Sequence, residues 1–115
     1  MTYAVNGAIF EVNKCLGAGF LEKVYENALM VELVDRGVNA TSQVPVKVKY
    51  KGHVIGEYYA DIMVEDRLIL ELKAVETLTK LHEAQLLNYL RATGIEFGWL
   101  VNFTHPRAEI KRFKL

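Results

Sequence analysis

A single cysteine, Cys15, excludes an intramolecular disulfide, and the cysteine and histidine spacing offers no structural zinc site. Only two prolines occur, Pro45 and Pro106. With no Ser/Gly-rich stretch, low-complexity tract or internal repeat, nothing marks a linker. No apolar run approaches the ~20 residues needed to cross a bilayer. The longest, around 28–34 and 97–103, are interrupted by Glu32 and Asn102. Residues 1–14 lack a basic start followed by an apolar block, and Glu11 breaks them, so no secretory leader is expected. A charge excess is missing too: Lys plus Arg number 14, and so do Asp plus Glu. A nucleic-acid partner would have to be held by a local patch rather than a basic coat. A reducing, cytoplasmic location and no membrane partner fit these absences.

What is present reads as one domain, residues 1–115. The 115 residues are 51% hydrophobic and 24% charged, the proportions of a globular chain. Size scaling has it bury roughly two-thirds of its unfolded surface around a single core. Val5, Ile9, Val12 and Leu16 recur at helical spacing, which predicts a helix over 3–16 with one buried stripe. Gly17-Ala18-Gly19 ends it. A second helix is expected over 20–36, with Leu21, Val24, Ala28, Val31 and Leu33 making apolar contacts and Gly37 closing it. From Asn39 the period changes to two: Val44, Val46, Val48 and Tyr50 alternate with Lys47, Lys49 and Lys51. Lys51-Gly52 is a turn signal. Strands over 53–64 and 68–73 follow, then a helix over 80–93 ended by Gly94 and a strand over 97–103. Residues 110–115 would add an edge strand. The order is α-α-β-β-β-α-β, with a final β where the edge strand forms. A hairpin run followed by a crossover helix implies an α/β (α+β-like) fold, a mixed central sheet flanked by helices.

The strand pair 53–64 and 68–73 carries chemistry. Glu71 and Lys73 are two apart and share a face. Asp61 joins them only if the turn has the right length. A two-residue loop sets Ile62 against Ile69 and Val64 against Arg67. A three-residue loop, 65–67, sets Val64 against Leu68, Ile62 against Leu70 and Asp61 against Glu71. Matching aliphatic to aliphatic selects the second register. It brings two carboxylates about 5 Å apart at their Cβ atoms, where they repel unless a positive group intervenes. A hard cation such as Mg²⁺ is one solution, because it takes oxygen ligands and keeps waters and substrate phosphate in its shell. Lys73 would then position the attacking water or stabilise charge on a phosphate. A surface Asp–Lys–Glu ion-pair ladder is the other solution.

These residues resemble the signature of the PD-(D/E)XK nuclease superfamily. That signature is an acid near the end of one strand and an acid-x-Lys on the next, here Asp61 and Glu71-Leu72-Lys73. The superfamily often carries an acid on the first core helix, matched by Glu22. Its exonuclease-like branch carries Gln-x-x-x-Tyr on the following helix, matched by Gln85-Leu86-Leu87-Asn88-Tyr89. More closely, the chain is similar to the small stand-alone GxxExxR family. Gly17-Ala-Gly-Phe-Leu-Glu22, Lys73-Ala-Val-Glu76 and His82-Glu-Ala-Gln-Leu-Leu-Asn-Tyr89 carry that match, which spans nearly the whole length. Two positions depart. Ala60 stands where a proline usually precedes the first acid, and Tyr25 replaces the arginine of GxxExxR.

The resemblance implies a restriction-endonuclease-like core. It further implies a Mg²⁺-dependent nuclease, with Mn²⁺ able to substitute, that hydrolyses DNA phosphodiester bonds in repair, recombination or defence. Asp61, Glu71 and the Leu72 carbonyl would hold the metal, and Glu22 a second metal or its water. Lys73 would assist the attacking water; Gln85 and Tyr89 would position the phosphate or Lys73. DNA, branched or single-stranded, is the implied partner. A homodimer through residues 97–103 or the first helix is expected, because a 13.1 kDa chain offers little surface to a duplex. A non-catalytic nucleic-acid-binding module, or an accessory module needing a partner, is the alternative on the same fold. His82 reads as a helix-entry residue or a phosphate contact, and Asn102 as a turn cap. Lys47, Lys49 and Lys51 would protect an edge strand or, with Arg107, Lys111, Arg112 and Lys114, grip a phosphate backbone.

Overall fold

The change of period at Asn39 falls where helix gives way to sheet. A computed structural model describes residues 1–104 and 106–115. Its elements are α1 (Thr2–Leu16), α2 (Glu22–Asp35), β1 (Ala40–Tyr50), β2 (His53–Val64), β3 (Leu68–Lys73), α3 (Lys80–Thr93), β4 (Phe97–Asn102) and β5 (Glu109–Lys114). The strands form one sheet in the order β1-β2-β3-β4-β5. Only β3 and β4 run parallel, joined by the α3 crossover; the other neighbours are antiparallel. The sheet is mixed and helices flank both faces, as the element order implies.

Two apolar layers hold it together. Val5, Ile9 and Val12 of α1 and Tyr25, Leu29 and Leu33 of α2 pack on Ile62, Val64, Leu68, Leu70, Leu72 and Val101. On the opposite face, Leu86 and Leu90 of α3 pack on Val46, Met63, Ile69 and Leu100. The second layer depends on Gly98: a Cβ there would lie 2.9 Å from Leu86 Cδ1. α3 is delimited by its own sequence. Thr79 accepts the His82 N–H, His82 Nδ1 accepts the Thr79 N–H, and Gly94 ends the helix at φ 76. His82 is therefore a capping residue.

The β2–β3 register is the one chosen by aliphatic matching, with Ile62 opposite Leu70 and Val64 opposite Leu68. Three expectations are corrected. The inward stripe of α2 is Tyr25, Glu26, Leu29 and Leu33, whereas Leu21, Val24 and Val31 are exposed. Apolar residues occur all round this helix, so spacing alone did not single out a face. Residues 97–103 offer no exposed surface for a homodimer: β4 is paired on both edges and largely buried, and the apolar stripe of α1 is spent on the core. The basic residues also do not form one patch. Lys47 and Lys49 lie on edge strand β1, while Lys111, Arg112 and Lys114 lie on the opposite edge, β5. There, Lys111 pairs with Glu83, Lys114 with Glu96, and Arg112 covers the Trp99 ring.

Tyr25, the residue standing in place of the family's arginine, is structural. Its hydroxyl donates to the Gly17 carbonyl at 2.6 Å and its ring stacks on Phe103 at 4.4 Å. Tyr25→Phe is expected to destabilise the fold by about 0.5–1.5 kcal/mol, because the half-buried Gly17 carbonyl loses its donor. Thermal denaturation measures this; an unchanged melting temperature would remove the tie from the account.

Candidate active site

The site is built where regular sheet pairing stops. Antiparallel pairing of β2 with β3 ends at Ile62 and Leu70. Beyond it the strands are joined through acid side chains. The Asp61 N–H donates to Glu71 Oε1 at 3.1 Å, and the Leu72 N–H donates to Asp61 Oδ2 at 2.8 Å. Each carboxyl thus takes the place of a ladder partner.

Asp61 is also where β2 changes phase. Ile62 and Val64 face the α1–α2 layer and Met63 faces α3, so strict alternation would send Ala60 to the α1–α2 side. It lies instead in the α3 layer. On β1 the pairing passes from Ser42–Ile62 to Val44–Ala60 with no partner for Asp61. The residue skipped is Gln43, at φ 52, a left-handed conformation that costs a non-glycine residue energy. This distortion frees the Asp61 backbone for the Glu71 carboxyl.

Burial governs the electrostatics. Glu71 is 5% exposed. Loss of hydration and the Asp61 charge push its proton affinity well above the usual carboxylate range, and Lys73 offsets only part of this. Burial likewise raises Asp61, with the Glu26 charge adding to it and the Leu72 N–H and Lys73 opposing it. The charge on each carboxyl therefore bears on the proton affinity of the other. Lys73, half-buried at the end of β3, supplies positive charge to both.

The end of β3 is fixed by its parallel neighbour. The Phe103 N–H donates to the Lys73 carbonyl at 2.9 Å. Asn102, fully buried, donates to the Val75 carbonyl at 2.8 Å and accepts the Val75 N–H at 3.1 Å. Asn102 therefore caps a turn, and that turn is the one that leaves the acid-bearing strand.

On α3, Tyr89 is 6% exposed. Burial, then the charges of Glu71 and Asp61, push its hydroxyl up to about 12. The acids are thus within electrostatic reach of the tyrosine. Gln85, one turn earlier on the same stripe, lines a groove between α3 and β1 together with Tyr89.

Glu22 is not brought to this site. It stands exposed at the first turn of α2, and among the described residues no three His, Cys, Asp or Glu side chains form a metal-binding group. The acid that α2 directs inward is Glu26, one turn on and 4% exposed. It accepts from Gln43 Nε2 at 2.7 Å and pairs with Lys23 at 2.7 Å. The sequence reading missed Glu26 and Gln43. The signal for Glu26 was its place on the stripe of Leu29 and Leu33, a polar residue on a core-facing line.

A hard divalent cation fits the acid pair. With Asp61 Oδ2 and Glu71 Oε1 engaged by backbone N–H groups, Oδ1 and Oε2 remain as oxygen donors on two carboxyls, one buried and one half-buried, whose proton affinities are raised without a cation.

Comparison with known proteins gives the family. No curated protein matches the sequence. Two solved structures share the fold. The crystal structure of SSO0001 matches with a TM-score of 0.60 at 22% identity, covering 80% of this chain and 48% of that one. That of an alkaline exonuclease (LHK-Exo) from Laribacter hongkongensis matches with a TM-score of 0.57 at 15% identity, covering 80% and 55%. The part of this chain that aligns spans about half the length of these neighbours. The sequence itself matches the PD-(D/E)XK nuclease superfamily over residues 1–113, and the chain belongs to that superfamily.

Proposed function

We propose that this protein is a Mg²⁺-dependent nuclease that hydrolyses DNA phosphodiester bonds in the cytoplasm, in repair, recombination or defence. Mn²⁺ would substitute. The observation that carries the reading is the acid pair, half-buried Asp61 and buried Glu71, joined through each other's backbone at the point where the sheet opens, with Lys73 beside them. Asp61, Glu71 and the Leu72 carbonyl would hold the cation. When bound, it would neutralise the acid pair and polarise the phosphate and its attacking water.

The chain's own groups do the rest. Lys73 donates a hydrogen bond to the attacking water and offsets the charge gathering on the non-bridging phosphate oxygens. Water oxygen bonds to phosphorus and gives up one proton to solvent, the bond to the leaving oxygen breaks, and that oxygen takes a proton from solvent. Tyr89 and Gln85 orient the phosphate from α3. Glu26, held by Lys23 and Gln43, keeps negative charge beside Asp61 and favours cation binding there.

Titration calorimetry tests the donor set. Mg²⁺ or Mn²⁺ binding is expected to be lost in Asp61→Asn and retained in Glu22→Gln. Unchanged binding in Asp61→Asn would overturn the assignment.

A further inference from the structure

The groove between α3 and the β1–β2 hairpin encloses about 1010 Å³. Of its lining, the family signature accounts for Gln85 and Tyr89 but not for Tyr58, Lys47, Lys49 or Arg91. Its floor is aromatic: Tyr58 of β2 lies 5.9 Å, centroid to centroid, from Tyr89 of α3. Tyr58 is 49% exposed although large and apolar. Its rim is basic, with Lys47 and Lys49 on one side and Arg91 on the other. Among the described residues none of these three cations has an ion-pair partner. Arg91 bonds only the neutral Asn88 side chain. The groove also leads toward the acids: Tyr89, which lines it, packs in one layer with Ala60 and Ile69, which lie one residue before Asp61 and two before Glu71 on their strands.

We propose that this groove holds a single strand of DNA, its bases against Tyr58 and its phosphates against Lys47, Lys49 and Arg91, and feeds it past Tyr89 to Glu71. The proposal rests on the nuclease reading and names its substrate form. A duplex turns its base faces inward and presents phosphate outward, so it has no use for an aromatic floor. An unpaired strand offers both a base face and a phosphate at each step, the combination that non-specific single-strand sites match with aromatic platforms and basic walls.

Fluorescence anisotropy with labelled oligo-dT, and with a duplex of equal length, tests this in EDTA, where nothing is cleaved. Oligo-dT is expected to bind more tightly than the duplex. Tyr58→Ala should weaken it about 5- to 100-fold, the range for losing one stacked base. Lys49→Ala should lower the slope of log affinity against log salt by about 0.7, the single-strand value for one phosphate contact. Equal binding of duplex and single strand, or full oligo-dT affinity in Tyr58→Ala, would overturn the groove assignment. Oligo-dT cleavage undiminished in Tyr58→Ala would also overturn it, while leaving the nuclease reading intact. Selective oligo-dT binding that responds to Tyr58 but never leads to cleavage with Mg²⁺ or Mn²⁺ would uphold the groove and overturn the nuclease.

Discussion

Replacing Lys73 with alanine is expected to lower the rate of DNA cleavage by about 100- to 1000-fold, the usual loss when one preorganised stabiliser of transition-state charge is removed. Folding should scarcely change. The side chain is half-buried, and among the described residues it makes no hydrogen bond or ion pair. Its backbone is held independently, by the Phe103 N–H and by pairing with Asn102. Initial rates at saturating Mg²⁺, beside a melting curve, separate the two effects. Lys73→Arg should not restore the rate, since a planar guanidinium cannot occupy the place of a compact ammonium. A well-folded Lys73→Ala protein that cleaves normally would end the assignment.

The second large effect concerns stability. Glu71 holds its proton in the folded metal-free protein up to about pH 9, against an ordinary value near 4.5. The fold therefore binds more protons than the unfolded chain between these values, and metal-free stability must fall as pH rises through that window. Glu71→Gln removes the titration while its amide oxygen can still accept the Asp61 N–H. At pH 8 without metal, the variant is expected to melt about 4 to 8 °C higher than the natural protein, the shift that follows a gain of about 1 kcal/mol in a domain of this size. Adding Mg²⁺ should raise the melting temperature of the natural protein, by mass action on the folded state, and leave the variant unmoved. A variant that melts lower and still responds to Mg²⁺ would show that Glu71 is a structural acid.

The sequence made the acid pair legible because the register depends on aliphatic matching. Val64 against Leu68 and Ile62 against Leu70 allow one loop length, and that length sets Asp61 beside Glu71. The crossover helix was equally plain, since Thr79, His82 and Gly94 mark its ends chemically. The phase change in β2 was not legible. It depends on Gln43, eighteen residues before Asp61 and on another strand, taking a left-handed backbone, and glutamine carries no local mark of that conformation. Glu26 escaped notice for a related reason. Glu22 opens α2 in a motif-like setting, while the inward turn of the helix is decided by Tyr25 locking onto Gly17 and Phe103. The interior position of β4 was hidden because a final strand over 110–115 was only optional in the pattern. β5 covers an edge that would otherwise be exposed.

The outer part of the β1–β2 hairpin has a consequence for kinetics. β2 is bonded to β3 only over Ile62–Val64, so the backbone of residues 53–60 is paired with β1 alone, and most of these residues are exposed. A two-stranded ribbon is marginal by itself in water, and segments of that kind lie at the low end of a protein's local unfolding free energies. One wall of the groove is thus its least stable part, while the opposite wall, α3, is anchored in the core by Leu86 and Leu90. Under the single-strand proposal, a wall that opens more readily than the whole protein unfolds would admit a strand sideways as well as by its end, which is the mechanical difference between cutting within a chain and trimming its terminus.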